Sequence, residues 1–210
     1  MSGSATVTSK YSGSKDRILR TLFCGRRRFQ IAWLFFAVLV VTCRRYPSAP
    51  GLAICFGGAT LRFVANGFVR KEVVLAVGGP YAHTRNPLYL GTLLMVLGAA
   101  ASVSSLVVTS AMALAMYANY RYVIRAEERA LQGRFDVRYL RYCALVPRLL
   151  PRPPPPARAL LRQINPDPGT YSFSLALARR NRAFESYLSF AGMAGGLFAV
   201  AWCRAFLATG

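Results

Sequence analysis

The amino-acid sequence predicts an all-α, polytopic integral membrane protein with about five transmembrane helices. Composition is the first reason: 54% of the 210 residues are hydrophobic, and the mean hydropathy is +0.33. Charge distribution is the second, because only 16% of residues are charged, against about a quarter in soluble domains. These charges are gathered between long apolar runs, which favours membrane spans over a soluble core.

The net charge of +20 does not predict nucleic-acid binding, because the basic residues lie between apolar runs and form no continuous basic face. The cysteines are odd in number, widely spaced and without a CxxC pair: Cys24, Cys43, Cys55, Cys143 and Cys203. With a single histidine in addition, we expect neither a disulfide framework nor a metal cofactor.

The N-terminal third predicts a tail and two membrane helices. Residues 1–28 are Ser/Thr-rich and then basic, which indicates a disordered cytosolic tail or, as the weaker alternative, an organellar transit segment. Apolar runs over 29–43 and about 51–69 end at paired basic residues. We therefore assign 29–72 to two transmembrane helices.

The region 88–118 carries no charge and is too long for one helix across a bilayer of about 30 Å. It predicts a helical hairpin that turns near Gly98 to Ser105. The last apolar run, 187–208, predicts a fifth span whose Gly/Ala content favours close helix packing. The Arg/Lys bias places the N-terminus, residues 70–87 and residues 120–182 on the cytoplasmic side.

A Pro-rich stretch, "PRLLPRPPPPARALLRQINPDPG" (147–169), follows the hairpin region. It predicts a solvated linker, partly polyproline II, over residues 152–170, with an SH3-type ligand as the alternative. Residues 171–210 then contain a short interfacial helix that leads into the last span.

The stretch "GGPYAHTRNPLYLG" (78–91) predicts a helix start, with Asn86 as N-cap and Pro87 as the first helical residue. Its free amides and positive dipole end favour a carboxylate or another anion, and His83 and Arg85 lie just before it. The alternative is a capped helix with an interfacial arginine. A Rossmann loop is disfavoured, because the glycine pair belongs to no GxGxxG motif.

The segment 120–131 predicts an amphipathic helix that carries two acidic residues. At 100° per residue, its apolar stripe contains Tyr120, Val123, Ile124, Ala130 and Leu131. Glu127 falls in the middle of this stripe, so we expect a buried carboxylate that pairs with Arg85 or serves a ligand. Glu128 falls at the edge and is explained by an ion pair with Arg125 on the same helix.

Gly133 is expected to end that helix, and a further helix should follow. On it, Tyr139, Tyr142, Cys143 and Val146 share a face that Arg138 and Arg141 do not. The tyrosines indicate either interfacial packing or a polar pocket. Arg148, between Pro147 and Pro151, is an anion anchor if the chain folds back.

Together these motifs resemble the isoprenylcysteine carboxyl methyltransferase family, integral membrane methyltransferases with phospholipid N-methyltransferase relatives. The matching positions span residues 73–151 and are Gly79-Pro80-Tyr81, Arg85-Asn86-Pro87 with Tyr89 and Gly91, Glu127-Glu128, Tyr139 with Tyr142, and Arg148 with Pro151. Familiar eukaryotic members have a histidine at the position of Asn86. The Arg-Asn-Pro triplet is similar to the prokaryotic branch. An acid/base role of that imidazole is absent from this chain unless His83, three residues upstream, replaces it.

The resemblance implies a membrane-embedded methyltransferase that binds S-adenosylmethionine on the cytosolic side and takes a lipophilic or prenylated acceptor laterally from the bilayer. It implies catalytic roles for Glu127, Glu128 and Arg148. The implied cofactor-binding residues are Gly79, Pro80, Tyr81, His83, Arg85, Asn86, Pro87, Tyr89, Glu127, Tyr139 and Tyr142. Isoprenylcysteine carboxyl O-methylation is the first expectation. Phospholipid N-methylation, a non-enzymatic membrane scaffold and a transporter that uses Glu127 as a proton site are the alternatives.

Overall fold

The computed structural model describes residues 34–43, 45–70 and 74–209, and its regular structure there is helical throughout. The predicted all-α class is therefore confirmed for these residues. The helices are α1 (34–42), α2 (Ala49–Asn66), α3 (Pro87–Val103), α4 (Leu106–Leu145), α5 (Arg158–Ile164), α6 (Leu175–Arg180) and α7 (Glu185–Thr209).

The chain forms two compact units, residues 1–38 and 39–210. In the first unit the structure describes only 34–38, the beginning of α1. The predicted tail, 1–28, and the start of the first predicted span lie outside the described residues. All that follows concerns the second unit.

Helices α2 and α3 contact each other through glycines. A Cβ atom on Gly58 would lie 2.5 Å from the carbonyl oxygen of Gly91, and one on Gly98 would lie 2.6 Å from that of Gly51. Each helix repeats its glycine after two turns, so the glycines form one stripe per helix. Small residues let backbones approach in this way where no hydrophobic force acts between helices.

The predicted hairpin is confirmed, because α3 ends at Val103 and α4 begins at Leu106, with Ser104 and Ser105 between them. The Ser105 hydroxyl accepts the amide of Val108 at 3.4 Å and caps α4.

The second arm of the hairpin does not end where the sequence predicted. Gly133 is helical, and α4 runs for 40 residues with its kink three residues later, at Asp136 (φ 42°, ψ −120°). The cause of the error is that a glycine costs a helix interior only about 1 kcal/mol, which the surrounding turns overcome.

Helix α7 is the one described helix that is long and apolar enough to cross a membrane by itself, over Glu185–Ala208. The apolar α3 is shorter, and α2 contains Arg62. Among the described residues, Gly192 and Gly195 of the last span make no close helix contact, since a Cβ atom on either would meet open space. Instead, Tyr187, Phe190 and Met193 of α7 pack beside Cys55 and Ala59 of α2 and Met95 of α3.

The segment after α4 is not a solvated spacer along its whole length. Leu161 and Ile164 of α5 are buried against Leu75 and Val77, in the loop between α2 and α3. Asn165 donates to the carbonyl of Leu75 at 2.8 Å. The apolar residues of "ALLRQI" thus pack on the loop between α2 and α3. The Pro-rich composition around them does not predict this contact. The linker boundaries of 152–170 stay a prediction.

The glycine stripe makes a testable prediction about stability. We expect Gly98→Ala to lower the free energy of unfolding by about 1–3 kcal/mol, because its methyl group would overlap the backbone of α2. Gly192→Ala is the matched control on α7 and should be neutral or stabilising by up to about 1 kcal/mol. Unfolding midpoints in detergent measure both, and equal shifts would contradict the packing argument.

Candidate active site

The site is built where the chain folds back from the end of α4 onto the start of α3. The amide of Arg85 donates to the carbonyl of Pro147 at 2.9 Å, and the amide of Arg152 donates to the carbonyl of His83 at 3.1 Å. Between them, the Thr84 hydroxyl donates to the carbonyl of Leu149 at 2.9 Å. These bonds join the loop 83–86 to the strap 147–152, which is the fold-back that Arg148 required.

Asn86 and Pro87 occupy the predicted N-cap and first helical positions of α3. The Asn86 side chain makes no capping bond, however. Its amide nitrogen instead donates to the carbonyl of Arg148 at 2.8 Å. The residue therefore connects the helix start to the strap, and its amide takes part in the architecture of the site.

Glu128 is the buried carboxylate of the site, with 9% of its surface exposed. One oxygen lies 2.7 Å from Nη2 of Arg148, and the other lies 3.2 Å from Nε of Arg148 and 3.3 Å from Nη2 of Arg85. The contact with Arg148 is thus bidentate, the strongest geometry for this ion pair. We call these three side chains the Glu128 clasp.

The two arginines of the clasp differ in exposure. The Arg85 side chain is 11% exposed and that of Arg148 is 43% exposed. Arg85 also contacts the Cys143 sulfur through Nη1, while its Nε is buried without a hydrogen-bond partner among the described residues. The hydrogen bond to Glu128 raises the pKa of Arg148. The clasp therefore keeps donor capacity beyond the bonds made to its carboxylate.

Glu127 is exposed, contrary to the prediction that it occupies a buried stripe. Its carboxylate accepts the hydroxyl of Tyr89 at 2.7 Å, across the hairpin. Tyr89 in turn meets Tyr120 edge to face, with ring centroids 5.0 Å apart. The exposed carboxylate of Glu127 and the rings of Tyr89 and Tyr120 thus lie together. Glu127 directly precedes Glu128 of the clasp in the chain.

The helical-wheel error has a simple origin. The buried positions of α4 recur every four residues: Met112, Met116, Tyr120, Ile124 and Glu128. A helical wheel drawn over 120–131 alone centred the buried stripe on apolar residues and placed Glu128 at its edge. Glu128 is nevertheless buried, because Arg85 and Arg148 compensate its charge. The expected partner, Arg125, forms none of the described ion pairs. Arg85 does have a glutamate partner, but it is Glu128 and not Glu127.

Tyr139 and Tyr142 share a buried face with Val146 as predicted, and Arg138 and Arg141 point away and are exposed. The Tyr142 hydroxyl donates to the carbonyl of Tyr81 at 2.7 Å. Burial raises the pKa of both hydroxyls on this face. Of the two interpretations left open by the sequence, the structure shows packing, since both tyrosines belong to a buried cluster with Leu75 and Val77.

Gly79, Pro80 and Tyr81 form a short 3-10 helix, Gly79–Ala82, directly before the loop of the clasp. Gly79 adopts φ +55°, which favours glycine, and a Cβ atom there would overlap the ring of Phe68. Burial, and then the Glu127 charge, raise the pKa of Tyr81. The motif thus supplies a backbone carbonyl and a close turn to the site.

The sequence did not predict two features of the structure, the contacts of Arg62 and a cavity. Arg62 of α2 bonds the Leu88 carbonyl at 3.5 Å and the Ser186 hydroxyl at 3.3 Å, and contacts the Thr92 hydroxyl, so it links α2 to α3 and α7. An arginine inside an apolar run was the available signal. The second feature is a cavity of about 390 Å³ away from the clasp, lined by Val74, Leu75, Phe135, Arg138, Ile164, Asn165, Pro166 and Asp167.

Residues 53–138 match the model of a family described as phospholipid methyltransferase. The predicted resemblance to membrane methyltransferases is confirmed. The matched phospholipid methyltransferase segment contains the Arg-Asn-Pro triplet and both glutamates, and it ends before Tyr139, Tyr142 and Arg148.

A curated relative shares part of this segment. Over 83 residues the chain is 41% identical to the cobalt-zinc-cadmium resistance protein CzcN of Cupriavidus metallidurans. The alignment covers 40% of this chain and 38% of the relative, so the chain spans well under half of that protein. No solved structure matches the chain.

The Glu128 clasp predicts unequal roles for the two neighbouring glutamates in stability. We expect Glu128→Gln to lower the free energy of unfolding by about 2–3 kcal/mol, because the nearly buried Arg85 loses its counter-charge. Glu127→Gln is the control and should change it by less than about 0.5 kcal/mol, since the exposed glutamine oxygen still accepts from Tyr89. Denaturant unfolding in detergent compares them, and a larger effect at Glu127 would restore the helical-wheel interpretation.

Proposed function

We propose that the protein is an S-adenosylmethionine-dependent methyltransferase that acts in the membrane on a lipid-like or lipid-attached acceptor. The observation that carries this proposal is the Glu128 clasp, with the Tyr89–Glu127 pair beside it, inside and directly after the segment that matches phospholipid methyltransferases. This combination places cationic, anionic and aromatic groups within one short stretch of the folded chain. Those are the chemical groups that the cofactor needs.

The residues of the site fit the cofactor in kind. The buried Nε of Arg85, which has no hydrogen-bond partner among the described residues, is a donor for the carboxylate of the cofactor. The exposed Glu127 accepts hydroxyl protons, and with Tyr89 and Tyr120 it favours a cationic centre. When bound, S-adenosylmethionine supplies an electrophilic methyl group on a sulfonium sulfur. The chain's own task is positioning and exclusion of water.

The acceptor we favour is a carboxylate on a lipidated group, of the isoprenylcysteine type. Such an acceptor is already a nucleophile and needs no base. Arg148 is 43% exposed, whereas Arg85 is nearly buried, so Arg148 is the residue of the clasp that is able to orient an incoming carboxylate. Its oxygen would accept the methyl group that the bound cofactor supplies, with Arg148 holding the carboxylate in position.

A phospholipid amine is the second candidate, and two observations favour it. The matching family is described as phospholipid methyltransferase, and Glu127 is an exposed carboxylate beside two aromatic rings. An ammonium acceptor must lose a proton before its nitrogen attacks, and the exposed Glu127 carboxylate is the base that we propose for this step. The name of the CzcN relative does not distinguish between these acceptors.

The membrane placement that accompanies this proposal has five spans with the site facing the cytosol. Helices α2 and α3, of 18 and 17 residues, are about 26 Å long, which suits a thin or tilted bundle. The first part of α4 is uncharged as far as Tyr120, and α7 supplies the last span. Exposed Leu188, Trp202 and Phe206 on α7 form the apolar surface expected against lipid.

The direct test is transfer of a labelled methyl group from S-adenosylmethionine to prenylcysteine analogues, phospholipids and small amphiphiles. With a phospholipid amine as acceptor, for which Glu127 is the proposed base, we expect Glu127→Gln to lower turnover about 10²-fold at unchanged stability. Glu185→Gln, which removes an exposed acid on α7, is the matched control and should leave turnover unchanged. Calorimetry that finds no cofactor binding to the wild-type protein would instead favour the non-enzymatic scaffold.

The pH dependence of turnover separates the two acceptors. A carboxylate acceptor is ionised well below neutrality, so its rate should be flat from about pH 6 to 9. An amine acceptor should give a rate that rises steeply over the same range, because only the deprotonated amine attacks. Initial rates with each acceptor measure this, and a steep rise for the prenylcysteine analogue would contradict the carboxylate proposal.

A further inference from the structure

Arginines form a row on the exposed side of α4, directly after its uncharged part. Arg121, Arg125 and Arg129 recur every four residues and all are exposed. None of them belongs to an ion pair of the described residues, and the bond from Arg129 Nε to the Arg125 carbonyl leaves their charges uncompensated. Like charges at this spacing repel each other along a helix. The row is therefore a cost to α4 that an anionic partner would remove.

The position of the row in the fold indicates which partner this is. Residues 106–120 of α4 carry no charge and are about 22 Å long. Tyr117 and Tyr122 are 46% and 69% exposed at the point where the charges begin, as interfacial aromatic residues are. At the other end of the hairpin, Arg45 donates to the carbonyls of Ala101 at 3.0 Å and Ser104 at 3.3 Å. Arginines thus mark both ends of an apolar layer, and exposed tyrosines mark the end where the row begins.

Because an α-helix rises by a constant distance per residue, the three arginines lie at increasing distances from that layer. Arg121 stands at its edge, Arg125 lies about 6 Å further and Arg129 about 12 Å further. The headgroup region of one leaflet is about 5–8 Å thick, and charges beyond it are screened over about 8 Å in physiological salt. Arg121 therefore lies among the headgroups, Arg125 at their outer edge and Arg129 beyond them.

We propose that Arg121, with a smaller contribution from Arg125, binds the phosphate groups of anionic phospholipids in the adjoining leaflet and anchors α4 at the membrane surface. The proposal rests on the membrane placement given above, and it is independent of which acceptor is methylated. It assigns the uncompensated charge of α4 to lipid, because the row begins where the apolar part of the helix ends. A nucleic acid or an acidic protein would not require that coincidence.

The experiment titrates the detergent-solubilised full chain with dioctanoyl phosphatidylglycerol and follows the unfolding midpoint by tryptophan fluorescence. We expect the midpoint to rise with this lipid and not with dioctanoyl phosphatidylcholine. Arg121→Gln should weaken the apparent lipid affinity about five-fold. Arg125→Gln should weaken it about two-fold, and Arg129→Gln should leave it unchanged.

Two controls keep the result specific. Arg121→Lys retains the charge and should retain the affinity, which separates loss of binding from loss of folding. Arg158→Gln removes an exposed arginine of α5, outside the row on α4, and should have no effect. Equal losses at Arg121, Arg129 and Arg158 would overturn the proposal. So would an equal midpoint rise with inorganic phosphate or a polyglutamate peptide.

Cofactor binding, measured by calorimetry on the same variants, separates this inference from the proposed function. We expect Arg121→Gln to bind S-adenosylmethionine as the wild type does, while its lipid affinity falls. Lipid selectivity in a protein that binds no cofactor would refute the proposed function and leave the lipid site standing. Cofactor binding without lipid selectivity would refute the lipid site and leave the proposed function standing.

Discussion

The charge on Glu128 is the constraint to which the rest of the site conforms. A carboxylate with 9% of its surface exposed is costly unless its charge is matched, and here two guanidinium groups match it. The three side chains come from α4, from the loop before α3 and from the strap after α4. One carboxylate thus joins three parts of the chain that are distant in sequence. Backbone bonds between 83–86 and 147–152 hold the same parts in register.

The hairpin makes this arrangement possible by its length and its packing. Glycines at the contact of α2 and α3 bring these helices close, so that the start of α3 has a rigid support. Helix α4 then runs beyond its uncharged part and carries Glu127 and Glu128 back to that start. The kink at Asp136 redirects the chain, and Tyr142 ties its last turns to the Tyr81 carbonyl. Apolar packing between the helices therefore sets the distances between the charged groups of the site.

Much of this could be read from the order of residues along the chain. The helical class, the turn of the hairpin, the start of α3 at Pro87 and the shared face of Tyr139 and Tyr142 all follow from local rules of periodicity and capping. The errors share one cause. Whether Glu127 or Glu128 is buried depends on arginines 43 and 20 residues from Glu128, and a wheel drawn on one helix contains neither. In the same way, α5 is ordered by the loop at Leu75 and not by its Pro-rich neighbours.

The sequence by itself determined the helical class, the apolar hairpin and the set of motifs that resembles membrane methyltransferases, because each of these depends on residues close together in the chain. Only the tertiary structure decided which glutamate is clasped, which arginines clasp it and which glutamate remains exposed beside Tyr89. The physical reason is that a buried charge is tolerated only where partners from elsewhere in the chain compensate it. Those partners meet only when the strap has folded back onto the start of α3.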